Sequence, residues 1–169
     1  GASSLYRTAD KGENWAAISL PAANNGQVDA IGTGSDGLTL YLASSGSGQI
    51  DLEVTSNLGV TWTPVGAGLP NRIITDIQVD QSDPQTAYLV TSGFGTGHVF
   101  KTSTGGAFWQ NISGTLPDVP ANCVLWIPSR GELYVGTDLG VFFSSDQGVK
   151  WTPFVTGLPN VAVFDLVYN

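Results

Sequence analysis

Residues 144–151 read Ser-Ser-Asp-Gln-Gly-Val-Lys-Trp, and this stretch decides the fold because the chain repeats it. Three copies lie upstream: Thr-Ala-Asp-Lys-Gly-Glu-Asn-Trp at 8–15, Thr-Ser-Asn-Leu-Gly-Val-Thr-Trp at 55–62, and Thr-Ser-Thr-Gly-Gly-Ala-Phe-Trp at 102–109. Their tryptophans are separated by 47, 47 and 42 residues, a period typical of repeat architectures. We call these four segments the Trp hairpins.

The residue types in a Trp hairpin are those of a tight turn between two strands. The acid or amide can bond backbone N–H groups within the turn, and the glycine two residues later can adopt a positive φ. The tryptophan begins the return strand, where its ring packs on the sheet and its N–H needs a partner. The predicted structural positions are Asp10, Gly12 and Trp15; Asn57, Gly59 and Trp62; Gly106 and Trp109; and Asp146, Gly148 and Trp151. The third copy has Thr104 in place of the acid, so the hydrogen bonds that a carboxylate makes within the turn are not expected there.

Short apolar runs separated by turn residues fill the segments between the Trp hairpins. Four short strands per period of about 40 to 50 residues indicate an all-β fold, a β-propeller of four-stranded blades with strands A to D from the axis outward. The sequence predicts a partial blade at 4–19, full blades at about 28–66, 73–113 and 122–155, and strand A of a further blade at 161–168.

The two ends of the predicted propeller do not complete one blade. Together they supply strands A, C and D but no strand B, so we expect a fragment of a larger propeller or an unusual closure. An open arc exposes strand edges and an apolar blade face, which favour association. Self-association through open blade edges is therefore expected.

Composition excludes several classes of partner and cofactor. The net charge is −8, with 14 acids against six Lys and Arg residues, so there is little basic surface for nucleic acid or for an anionic membrane. The single cysteine, Cys123, excludes an internal disulfide and a thiolate metal cluster. It lies in an apolar run and is expected to be buried and inert.

The Trp hairpins resemble the Asp-box, or BNR, repeat of sialidases, sortilin-like receptors, propeller xyloglucanases and a photosystem II assembly factor. The copies at 8–15 and 144–151 match its pattern fully, and the resemblance extends over the whole chain. In these families the box is structural and lies away from the active site. The resemblance therefore implies the propeller fold more strongly than any activity.

Two of the activities in these families fit poorly. Sialidases need three converging arginines and a Tyr–Glu pair, whereas the only arginines here are Arg7, Arg72 and Arg130. Of these, Arg72 alone is expected on the propeller face that carries the B–C turns, where propellers usually bind ligands. The assembly factor implies an arginine patch, and this chain is acidic. A structural role is also expected for His98, the only histidine, since no Cys or second His is nearby.

Asp29, Asp76 and Asp165 each stand near the start of a predicted innermost strand. Their carboxylates could converge at the channel mouth, where they would hold Ca²⁺ or accept hydrogen bonds from sugar hydroxyls. The alternative is that each Asp fixes its own loop. No other cofactor is expected.

Asp138 lies in a Thr-Asp-Leu-Gly-Val segment at a predicted B–C turn. The segment is similar to one that carries a catalytic aspartate in xyloglucanases, but Val141 replaces a glycine, and ordinary repeats use the same turn without catalysis. Glycoside hydrolysis also needs a second carboxyl. No spacing in the sequence indicates one, so Asp138 is a weak catalytic candidate.

Phe94 and Trp126 are aromatic residues outside the Trp hairpins that could offer a stacking surface for a sugar ring, and Arg72 could reach the same face. Core packing is the alternative for Trp126. We therefore expect a non-catalytic binding or scaffold module, extracellular or periplasmic, whose ligand is a carbohydrate or a protein. The alternative is a fragment of a xyloglucanase-like hydrolase with an incomplete catalytic site.

Overall fold

The computed structural model describes residues 4–21, 27–46, 48–155, 157 and 161–168, and these residues form strands and turns with no helix. The described part of the chain accordingly has no helix that could span a bilayer. The strands form one two-stranded and three four-stranded antiparallel sheets, each with its strands in chain order. This is the arrangement of propeller blades, in an arc that does not close.

The two-stranded sheet, which we call the half-blade, contains β1 (Leu5–Arg7) and β2 (Ala16–Ile18). Blade 1 contains β3 (Gln27–Thr33), β4 (Leu40–Gly46), β5 (Gln49–Thr55) and β6 (Thr63–Pro64). Blade 2 contains β7 (Ile74–Asp80), β8 (Asp83–Thr91), β9 (Val99–Thr102) and β10 (Gln110–Asn111). Blade 3 contains β11 (Ala121–Ile127), β12 (Glu132–Thr137), β13 (Gly140–Ser144) and β14 (Thr152–Pro153).

Residues 161–168, where the sequence predicts a further strand A, are not assigned to a strand. A strand is defined by a ladder of backbone hydrogen bonds to a neighbouring strand of its sheet. Val163 instead makes single hydrogen bonds to residues of blade 3. Its amide donates to the Thr137 carbonyl at 3.0 Å, and its carbonyl accepts from the Cys123 thiol at 3.9 Å. Burial raises the pKa of that thiol to about 11, so Cys123 is protonated at neutral pH.

The hydrophobic core lies between blades. One cluster joins blades 1 and 2 and includes Tyr41, Leu52, Ile77 and Trp109; a second joins blades 2 and 3 and includes Tyr88, Val99, Leu133 and Trp151. Because blade 2 is covered on both faces, Ala87 to Thr91 in β8 are buried without alternation. Each blade therefore depends on its neighbours for much of its apolar burial.

Each Trp hairpin is closed by the same local hydrogen bonds. In the fourth copy the Ser144 hydroxyl accepts from the Gly148 amide at 2.9 Å and donates to Asp146 at 2.8 Å, and Asp146 accepts from the Lys150 amide at 2.9 Å. These bonds hold the pKa of Asp146 below its usual value. Gln147, immediately before the glycine, also has a positive φ, 62°, which the sequence did not indicate.

Thr104 replaces the acid in the third Trp hairpin without loss of the turn. Its hydroxyl accepts from the Phe108 amide at 3.1 Å, the bond that a carboxylate makes in the fourth copy. The Thr102 hydroxyl accepts from the Gly106 amide at 3.0 Å, as in the other copies. A neutral hydroxyl is therefore sufficient here, because the turn needs an acceptor and not a charge.

The indole N–H groups of three Trp hairpins bond to the preceding sheet. Trp62 donates to the Ser19 carbonyl at 2.7 Å, Trp109 to the Val65 carbonyl at 2.8 Å, and Trp151 to the Ile112 carbonyl at 2.9 Å. In each case the accepting residue directly follows the outer strand of that sheet. The tryptophans therefore fix how successive sheets dock, in addition to packing on their own sheet.

Glu53 is a buried acid in β5 whose Oε2 has no hydrogen-bond partner among the described residues. Burial, with repulsion from Asp51, raises its pKa. A carboxyl with a raised pKa destabilises the fold when it ionises, so its stabilising protonated form is lost as the pH rises through the folded-state pKa. We expect Glu53→Gln to raise the free energy of unfolding by about 1 kcal/mol near pH 7.

This gain should vanish below 4.5, the ordinary pKa of a glutamate, where Glu53 is protonated in both states. Urea unfolding at about pH 4 and about pH 7 measures how much Glu53→Gln changes the free energy of unfolding at each pH. Glu13→Gln, at an exposed position in the first Trp hairpin, is the control and should change neither. Equal effects of Glu53→Gln at the two pH values would contradict the argument.

Candidate functional site

The acids proposed for the channel mouth do not form a common ligand set. Asp29 lies in a β-bulge of β3 between Val28 and Ala30, whereas Asp76 follows a bulge in β7 and pairs with Val90. Asp165 is close enough to Asp76 to contribute to its raised pKa. Among the described residues no three His, Cys, Asp or Glu side chains gather closely enough to hold a metal ion. Strand fixation is thus the role that the geometry favours for Asp76, whereas the Oδ2 of Asp29 is buried without a hydrogen-bond partner among the described residues.

Asp76 illustrates this fixation. Its carboxylate accepts from the Val124 amide in β11 at 2.9 Å and from the Ile77 amide at 2.8 Å. Burial nevertheless raises its pKa, because desolvation of the carboxylate outweighs the two hydrogen bonds. Two residues further along β7, Gln78 bonds both the amide and the carbonyl of Trp126. Alternate side chains of β7 therefore attach the innermost strand of the next blade.

Trp126 belongs to the same attachment. Its indole N–H donates to Asp80 at 2.8 Å, and its ring lies 5.2 Å from the Tyr88 ring at an interplanar angle of 34°. Both the ring and the indole N–H of Trp126 therefore contact residues of blade 2. The packing alternative for Trp126 therefore has the stronger structural basis, while its role toward a ligand stays a prediction.

Arg72 and Phe94 come together on the opposite end of the strands from the Trp hairpins. Two adjoining cavities, of about 250 and 390 Å³, form a groove between blades 1 and 2. We define the groove by six of the residues that line it: Gln49, Ile50, Asn71, Arg72, Ile73 and Ser92. Its walls come from the B–C turns of both blades and from the connection between them.

Local contacts hold Arg72 in a fixed position at the groove. Its Nη2 donates to the Phe94 carbonyl at 3.3 Å. Its stem lies against Gly93, where an added Cβ would be 3.0 Å from Arg72 Cδ, and Gly93 has a φ of 87°. The Phe94 ring itself is 60% exposed. The groove therefore contains a positioned guanidinium, and the exposed Phe94 side chain lies in the adjacent turn, outside the groove lining.

Asn71 and Asp118 hold the B–C turns in place, and neither residue was predicted from the sequence to do so. Asn71 Nδ2 donates to the Gly48 carbonyl at 3.0 Å in blade 1, and Asp118 accepts from the Gly95 amide at 2.8 and 3.0 Å in blade 2. Each residue follows a Leu-Pro pair, as Asn160 does in the last repeat, so the repeat itself carried the signal. Asn160 lies outside the described residues.

His98 completes the support beneath the turn of blade 2. It is 2% exposed, and its Nε2 lies 2.9 Å from Asp118, whose carboxylate remains largely exposed. The Gly95 amide and His98 hold the pKa of Asp118 below its usual value. His98 is therefore a structural histidine that positions the turn carrying Phe94.

Asp138 is exposed in the turn between β12 and β13, and it accepts a 3.0 Å hydrogen bond from Asn122. This contact ties the turn to the first strand of the same blade, whereas Asn71 and Asp118 tie the turns of the other blades to the connections between blades. Among the described residues no other carboxylate is hydrogen-bonded to it. A catalytic role for Asp138 therefore stays a prediction.

The chain is similar in structure to solved β-propellers. It superposes on the GH74 xyloglucanase from Xanthomonas campestris with a TM-score of 0.66 at 20% identity, covering 92% of this chain and 27% of that one. An ancestral GH74 enzyme gives a TM-score of 0.69 at 19% identity, with 90% and 21% coverage. YCF48 bound to D1 peptide gives 0.50 at 14% identity, with 89% and 60% coverage.

These similarities establish the β-propeller fold, and the chain spans about a quarter of the length of the GH74 enzymes. No family model matches the sequence. No curated protein matches it either.

Proposed function

We propose that this chain is a non-catalytic binding module of a propeller built from Asp-box repeats, and that its groove binds a neutral carbohydrate. The observation that carries the proposal is the groove between blades 1 and 2, where Arg72 is bonded to the Phe94 carbonyl in the adjacent turn, whose side chain is exposed. An aromatic face and fixed polar groups are the usual components of a specific binding site. Gln49, Asn71 and Ser92 add groups that can bond hydroxyls.

The charge of the chain favours a neutral ligand over an anionic one. At a net charge of −8, the molecule repels polyanions at long range. The groove lining includes one cation, Arg72, whose Nη2 already bonds the Phe94 carbonyl. A neutral polysaccharide is compatible with both features. Such a ligand also suits the extracellular or periplasmic location that we propose.

Binding to xyloglucan oligosaccharides, cello-oligosaccharides and xylo-oligosaccharides tests the proposal by calorimetry. We expect Phe94→Ala and Arg72→Ala each to weaken binding by about tenfold, because each removes one principal contact. Phe108→Ala is the matched control: Phe108 is 68% exposed in the same blade but lies in its Trp hairpin, at the other end of the strands. It should leave the affinity unchanged.

Three outcomes would contradict the proposal. Binding that is equally sensitive to Phe108→Ala would place the site elsewhere. Binding of peptides but of no oligosaccharide would assign a protein ligand instead. Release of reducing ends that is abolished by Asp138→Asn would assign the hydrolase alternative, in which Asp138 is catalytic.

A further inference from the structure

A lysine bridges blades 2 and 3 beside their Trp hairpins. Lys101 of β9 reaches across to the fourth Trp hairpin, where its Nζ donates to Gln147 Oε1 at 2.8 Å. The same ammonium group lies 5.6 Å from the centre of the Tyr88 ring. The ammonium group of Lys101 is thus held between an amide oxygen and an aromatic ring.

The junction of blades 1 and 2 has the same arrangement of strands but lacks both of the bridging side chains. The repeat places Val54 where Lys101 stands, since each residue directly precedes a Trp hairpin and pairs with a tyrosine of the adjacent strand. Gly105 replaces Gln147, and the two turns match, with φ of 64° and 62°. A cavity of about 190 Å³ lies there, lined by both Val54 and Gly105. We call it the hairpin cleft.

Oxygen atoms of side chains dominate the lining of the hairpin cleft, and none of its lining residues carries a charge. The Tyr41 hydroxyl donates to the Pro84 carbonyl at 3.3 Å, which leaves its oxygen able to accept. Gln85 Oε1 lies beside Gly105, 2.6 Å from where a Cβ would stand, so an amide oxygen is present here as at Gln147. Exposed hydroxyls complete the lining: Ser56, Thr61, Thr63 and Thr104.

The surroundings of the hairpin cleft favour a cation with several N–H groups. An ammonium group has three donors and no acceptor, so it needs oxygen atoms around it. The hydroxyls of Ser56 and Thr63 and the side-chain amide of Gln85 make no hydrogen bond to another described residue. Burial raises the pKa of Tyr41 to about 12, and the nearby Asp83 carboxylate adds to the rise. This carboxylate and the net charge of −8 attract cations and repel anions.

We propose that the hairpin cleft binds a primary ammonium group on a methylene chain, in the place that Lys101 occupies at the next junction. Two sources present this group: a lysine side chain of a partner protein and a free polyamine. The volume of about 190 Å³ corresponds to about six water molecules, which is space for the end of such a chain. The hairpin cleft and the groove lie at opposite ends of the strands, so the two sites are independent.

Titration of the isotope-labelled 169-residue chain with amines, followed by NMR, tests the proposal. The ligands are Nα-acetyl-lysine methylamide and cadaverine, with pentanol as the neutral analogue. We expect an amine, but not pentanol, to shift the amide signals of Ser56 and Gly105. Val54→Lys should weaken amine binding by at least about tenfold, because the new side chain fills the cleft as Lys101 fills its junction.

Val60→Lys is the matched control for charge. It adds the same charge to the same Trp hairpin, but Val60 is 79% exposed and does not line the cleft. It should change the affinity by less than about twofold, the effect expected of a surface charge. Arg72→Ala should leave amine binding unchanged, so failure of this proposal and failure of the carbohydrate proposal are distinguishable.

Lys101→Val is the converse variant, and it should add a second amine-binding site by opening the equivalent cleft between blades 2 and 3. Gln85→Ala retains the backbone bond from the Gly105 amide to the Gln85 carbonyl and should weaken binding about threefold. It tests the site even if circular dichroism melting shows that Val54→Lys is unfolded.

The tighter of the two amines identifies the source of the ammonium group. Preference for the blocked lysine assigns a protein partner, and preference for cadaverine assigns a free polyamine. Absence of binding by both amines, equal binding of pentanol, or equal losses in Val54→Lys and Val60→Lys would each overturn the proposal.

Discussion

Trp109→Ala is expected to lower the free energy of unfolding by about 3–5 kcal/mol, the cost of removing a large buried aromatic side chain. Trp109 is 6% exposed, packs edge-on against Tyr41, and bonds the Val65 carbonyl at 2.8 Å. Its loss opens a cavity between blades 1 and 2 and leaves the carbonyl of the buried Val65 without its partner. Urea unfolding followed by circular dichroism measures the change.

Trp15→Ala is the matched control for this experiment, because Trp15 has the same place in its hairpin but is largely exposed. At a concentration where the chain is monomeric, it should change the free energy of unfolding by no more than about 0.5 kcal/mol. Trp109→Phe separates the contributions, since it retains an aromatic ring and removes the N–H, at an expected cost of about 1–3 kcal/mol. Equal effects of the two alanine variants would show that the tryptophans do not join blades.

Gly148→Ala is expected to cost about 3 kcal/mol or more, through two separate effects. Gly148 has a φ of 86°, which an alanine adopts at a cost of about 1–2 kcal/mol. In addition, its new methyl group would overlap the carbonyl oxygen of Ile112 in blade 2, a backbone atom that has little room to move. The substitution therefore acts on the junction between blades 2 and 3.

Gly12→Ala isolates the first effect. Gly12 has a φ of 97° in the first Trp hairpin, but no atom of a preceding sheet lies near it. We expect a cost of about 1–2 kcal/mol there, so the two variants should differ by about 2 kcal/mol in denaturant titrations of the monomer. If both glycines respond alike, the close approach of sheets contributes nothing to the requirement for glycine.

The propeller fold could be predicted from the sequence because its signals are local. The bonds that close a Trp hairpin join residues two and four apart, such as Ser144 with Asp146 and with Gly148. Such bonds depend on residue type and spacing alone, so their repetition could be read along the chain. The all-β prediction with four-stranded blades is confirmed by the three four-stranded sheets.

The candidate site was predictable only in part. The sequence indicated Arg72 and Phe94 separately, but their contact crosses 22 residues and depends on the turn that Asp118 and His98 hold. Asp76 is a residue of a type that often binds ligands, yet its carboxylate accepts a hydrogen bond from the Val124 amide, 48 residues away. A side chain's residue type does not reveal which partner the fold brings to it.

The amino-acid order by itself determined the hairpins, the strand number in each blade and the acidic surface, since these follow from turn chemistry and composition. Only the tertiary structure decided which carbonyl each indole reaches, which acids become structural, and which turns enclose a groove. The physical reason is that docking of sheets joins groups far apart in the sequence, such as Trp109 and Val65, which are 44 residues apart, and the cost of leaving such buried groups unpaired selects their partners.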